Sequence, residues 1–92
     1  MRRVLFVFLD GVGLGPADPE VNALAAARLP TLEALLGGQR PTMDAAGLST
    51  REATLVGLDA VLGVDGLPQS GTGQAALLTG ENAPARFGRH YG

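Results

Sequence analysis

Residues 3–16 read Arg3-Val4-Leu5-Phe6-Val7-Phe8-Leu9-Asp10-Gly11-Val12-Gly13-Leu14-Gly15-Pro16, and this stretch decides the expected fold. Arg3 to Leu9 is β-branched and aromatic without polar alternation, the pattern of a strand buried on both faces of a parallel sheet. Such a strand needs helices on both sides. Asp10 follows at once, and the glycines after it permit a loop of close backbone approach. A carboxylate held at the end of a buried strand suits a hard metal ligand or a general base, and a solvated turn residue equally well. Gly11, Gly13 and Gly15 do not complete a dinucleotide fingerprint, because Pro16 stands where its third glycine belongs.

Working outward, Asp18-Pro19-Glu20 reads as an N-cap, a proline in the first turn and an acid beside it, predicting a helix to about Arg28. A second helix is expected from Pro30-Thr31 to Leu36, stopped by Gly37-Gly38. Gln39 to Glu52 reads as loop with a short strand around Thr42 to Asp44, and Ala53 to Val61 as a strand interrupted by Gly57. Gly63 to Pro68 is turn-rich. Ser70-Gly-Thr-Gly-Gln-Ala-Ala-Leu-Leu-Thr79 reads as a helix closed by Gly80, and Asn82 to Gly92 as irregular. This alternation predicts an α/β fold, in which ligands lie at the carboxyl ends of strands. Asp10 and the loop before Ser70 would fall there.

Composition bounds the function. The chain has 92 residues, a formal charge of −2 and no cysteine. Disulfides, zinc fingers and thiol catalysis are thereby excluded. All seven basic residues are Arg, so a P-loop lysine and a lysine Schiff base are excluded as well. Four aromatics, no basic cluster and a pI near 5.1 argue against nucleic acid as a partner. No apolar run approaches the ~18–20 residues that span a bilayer. Met1-Arg2-Arg3 and six apolar residues only faintly imitate a signal peptide, so a cytoplasmic chain is expected. Charged residues make up 17%, against about 25% in ordinary soluble domains, and the mean hydropathy is +0.19. Residues 1–92 are therefore expected to be a partial domain of a larger α/β core, whose uncovered surface would drive self-association.

Gln69-Ser70-Gly71-Thr72-Gly73-Gln74 is the second candidate for chemistry. A hydroxyl at a helix N-terminus with glycines beside it lets backbone N–H groups and the helix dipole face an anion such as phosphate. A serine N-cap makes the same pattern without any function. The nucleophile elbow G-x-S-x-G fails at Pro68. His90 stands alone, Asp44, Asp59 and Asp65 read as turn or solvated residues, and Arg86 and Arg89 as solvated in preference to contacting a phosphate.

Asp10-Gly11-Val12-Gly13, Pro30-Thr31-Leu32 and Gln69 to Gln74 together resemble the amino-terminal segment of the alkaline phosphatase superfamily. The branch most similar is that of the cofactor-independent phosphoglycerate mutases and phosphopentomutases. The resemblance implies a three-layer α/β/α sandwich with a mostly parallel sheet. It also implies two divalent metals, zinc or manganese, and a phosphorylated small-molecule substrate of a phosphatase, phosphodiesterase or phosphomutase. Asp10 would be a metal ligand, and Ser70 a nucleophile sharing that metal. The family's other Asp and His ligands lie in its carboxyl-terminal part, so the 92 residues alone are expected to be inactive and to hold metal weakly. The contrasting expectation is a noncatalytic α/β module or proteolytic remnant that self-associates.

Overall fold

The computed structural model describes residues 2–92, and Met1 lies outside them. The described residues form four short helices and a 3-10 turn: α1 (Ala23–Ala26), α2 (Pro30–Leu35), the turn Met43–Ala45, α3 (Ser70–Thr79) and α4 (Ala83–Phe87). The only β pairing among them is an isolated antiparallel bridge between Ser49 and Thr54. The expected parallel-sheet α/β sandwich is therefore overturned. The reason lies in the partners a buried strand needs. Residues 3–9 enter no ladder, and Val4 and Leu5 are 94% and 87% exposed. The second expected strand, Ala53 to Val61, is divided: Thr54 turns back on Ser49, Val56 and Leu58 are exposed, and Leu62 and Gly63 have positive φ.

The chain divides into two compact units, one ending at Gly57 and one running from Leu58 to Gly92. In the first unit, the helix expected from Asp18 begins four residues late. The Asp18 carboxylate accepts from the Glu20 N–H at 2.9 Å, making a separate turn, and Asn22 caps α1 by accepting from Leu24 N–H. α1 stops at Ala26, ahead of Leu29, whose helical backbone Pro30 disfavours. Pro30 opens α2 as expected, and Glu33 reaches back to accept from Leu29 N–H at 2.8 Å. At its end Gly38 N–H donates to Glu33 C=O and Gly37 N–H to Ala34 C=O, the paired bonds of a Schellman stop. Gly37 has the positive φ this requires, +67°. The short strand expected at Thr42 to Asp44 is the 3-10 turn instead. The buried residues of this unit are Ala25, Leu36, Pro41, Thr42 and Ala45.

Residues 47–55 make a tight hairpin. Thr50 N–H donates to Ala53 C=O, Leu55 N–H to Leu48 C=O, and Gly47 N–H to Leu55 C=O, at 2.8–2.9 Å. The Thr50 hydroxyl accepts from the Glu52 and Ala53 N–H groups and donates to Leu35 C=O at 2.7 Å, tying the hairpin to the end of α2. Thr50→Val removes all three bonds and strands the Leu35 carbonyl, so it should cost about 1–2 kcal/mol in urea unfolding. Thr50→Ser should cost clearly less, and equal losses for the two variants would contradict the role given to the hydroxyl.

In the second unit α3 ends at Gly80 (φ +75°), as the sequence implies. The irregular tail expected after Asn82 instead contains α4. Asn82 caps it by accepting from Ala85 N–H, its amide donates to Leu62 C=O at 2.8 Å, Pro84 is fully buried, and Gly88 closes it at φ +102°.

Candidate functional site

Asp10 belongs to the first unit and Ser70 to the second, and each is described within its own unit. Asp10 is exposed and stands at the head of a turn whose next residue, Gly11, has φ +71°. Nothing lies within 4 Å of a Cβ placed at Gly11 or Gly13, whereas one at Gly15 would stand 3.0 Å from the Asn22 side-chain nitrogen. The expected setting of Asp10, the end of a buried strand, is absent with the sheet.

Ser70 is the first residue of α3, half-buried, and the N-cap position belongs to Gln69, whose backbone is extended. The reading of Ser70 as a serine N-cap is thereby corrected. α3 is the longest helix among the described residues, and its first turn carries the partial positive charge of its N–H groups. Those groups are not all turned to solvent. Tyr91 C=O accepts from Thr72 N–H at 2.8 Å, and the buried Thr72 hydroxyl accepts from Tyr91 N–H at 3.1 Å. The chain end thus lies along the first turn of α3. Gly71 makes room for it, since a Cβ there would stand 2.6 Å from the Tyr91 carbonyl oxygen.

The tail is anchored a second time by His90. Its ring is buried and Nε2 lies 2.9 Å from Val64 C=O, so the single histidine has a structural partner. Arg89 packs over the rings of Phe87 and Tyr91, which are themselves 5.0 Å apart. Arg86 pairs with Glu81 at 2.9 Å. Both arginines are exposed, as expected, and so exposed a pair as Arg86 and Glu81 adds little stability. Asp59 accepts from Val61 N–H at 3.0 Å in a turn. Thr72 and the tail are the features of this site that the sequence reading passed over; its only trace in the sequence is a hydroxyl set between Gly71 and Gly73.

No family model, curated protein or solved structure matches the chain. Among the described residues no three His, Cys, Asp or Glu side chains gather into a group able to hold a metal ion. The residues present therefore do not make up a two-metal centre. A divalent cation wants four or more ligands, so calorimetry of the 92-residue chain with manganese or zinc should show only weak binding. Submicromolar one-to-one binding would contradict this. No helix among the described residues is long and apolar enough to cross a membrane.

Proposed function

We propose that these residues are the amino-terminal portion of a cytoplasmic, metal-dependent phosphoryl-transfer enzyme acting on a phosphorylated small molecule, with Ser70 as nucleophile and Asp10 as a metal ligand. The observation that carries the reading is the position of Ser70 in the first turn of α3, between a non-helical Gln69 and the glycines 71 and 73. A hydroxyl there can attack a phosphoryl group within the favourable field of the helix N-terminus. A divalent metal held by Asp10 and Ser70 together with ligands from a longer chain would supply the activation that a serine hydroxyl otherwise takes from a histidine base. The remaining ligands of such a centre would come from a longer chain.

Exposure of the apolar run Val4–Leu9 favours a second reading, a noncatalytic module that associates with itself. Acid-quenched mass spectrometry of Ser70 in a longer protein carrying these residues separates the two: phosphoserine during turnover supports the enzyme, and its absence the module.

A further inference from the structure

We propose that residues 2–10 pair with the same residues of a second copy of this chain, as an antiparallel two-stranded ribbon centred on Phe6. This inference uses none of the phosphoryl-transfer chemistry. Three observations lead to it. Residues 3–9 are among the best strand formers in the chain, yet they enter no ladder. Val4, Leu5, Phe6, Val7 and Leu9 are all more than half exposed, and Phe8 between them is partly exposed. The charges at its ends are opposite, Arg2 and Arg3 before it and Asp10 after it.

These charges select the direction. Parallel in-register pairing would set Arg2 and Arg3 against their own copies, and like charges directly opposite destabilise a sheet. Antiparallel pairing sends the arginines to opposite ends. A two-fold axis must pass through a pair of identical residues, because adjacent antiparallel pairs alternate in hydrogen-bonding type and cannot be equivalent. Centring the axis on Phe6 sets Arg2 opposite the partner's Asp10, Val4 opposite the partner's Phe8 and Phe6 opposite itself. Residues 2, 4, 6, 8 and 10 share one face, so that face carries an apolar centre with an opposite-charge pair at each end.

The chain contains no cysteine, so single cysteines report the register cleanly. Phe6→Cys should cross-link rapidly on oxidation, since directly opposed Cα atoms are about 4.5–5.5 Å apart, within disulfide range. Leu9→Cys should not, because its copies would stand about 20 Å apart along the ribbon. Sedimentation of the 92-residue chain in EDTA should show a concentration-dependent dimer. Arg2→Asp should weaken it about tenfold, and the exchange Arg2→Asp with Asp10→Arg should recover most of the loss. A monomer at all concentrations, continued growth beyond dimer, cross-linking at Leu9→Cys as fast as at Phe6→Cys, or a dimer indifferent to both charge variants would each overturn the proposal.

Discussion

Gly71→Ala should loosen the chain end from α3, whereas Gly73→Ala, two residues on in the same helix, should stabilise the protein. The difference is steric. A methyl at Gly71 would stand 2.6 Å from the Tyr91 carbonyl oxygen and 3.4 Å from its carbon, both backbone atoms that no rotamer change can move aside. Relieving that overlap means moving Tyr91, with loss of its bonds to the Thr72 N–H and hydroxyl. Overpacking of this kind costs about 1–3 kcal/mol. The gain of about 1 kcal/mol from replacing a helical glycine by alanine offsets only part of it. Nothing lies within 4 Å of a Cβ at Gly73, so there the helical gain stands alone. Urea midpoints should move in opposite directions, and amide exchange at Thr72 and Tyr91 should accelerate only in Gly71→Ala. Equal shifts in both variants would remove the close approach from the account of this unit.

The larger effect is expected at Ser70. If its hydroxyl is the nucleophile, Ser70→Ala and Ser70→Asp should each lower turnover of a phosphate ester by about a thousandfold or more in a longer, metal-loaded protein carrying these residues. Helix stability should not follow the same course. Gln69, not Ser70, holds the N-cap position of α3, and it makes no side-chain cap bond there. An aspartate in the first turn is favoured by the helix dipole, so Ser70→Asp should keep α3 formed while abolishing turnover. Ser70→Thr retains a hydroxyl and should keep measurable activity. Normal turnover by Ser70→Ala would end the assignment.

Local features of the fold were legible where the chemistry that makes them is local. Pro30 and Gly37-Gly38 delimit α2, and Gly80 ends α3, because a fixed φ and a positive φ act within one turn of the chain. α4 was legible in principle, with Asn82 before it, Pro84 inside its first turn and Gly88 after it, but its five residues are too few to show periodicity. The sheet was not legible. The apolar character of Arg3–Leu9 states what surroundings the segment would suit, whereas burial depends on neighbours that a short window does not contain. Among residues 2–92 those neighbours are absent, since the one later β-rich segment closes on Ser49 through a turn at Thr50.

The same division runs through the candidate site. Ser70 at the start of a glycine-rich helix could be read from adjacent residues. The burial of Thr72 beneath the chain end could not, because it rests on a bond to Tyr91, 19 residues away. His90 was visible as a lone histidine, but its partner is a main-chain carbonyl at Val64, which leaves no mark in the sequence.

The most direct measurement is the covalent state of Ser70 during turnover. A longer protein carrying these residues, incubated briefly with manganese and a phosphate ester, quenched in acid and digested, should yield the peptide spanning residues 52–86 with one phosphate on Ser70. The Ser70→Ala protein should yield none. Turnover that proceeds while Ser70 remains unmodified at every quench time, or phosphate found on Thr72 alone, would contradict the account.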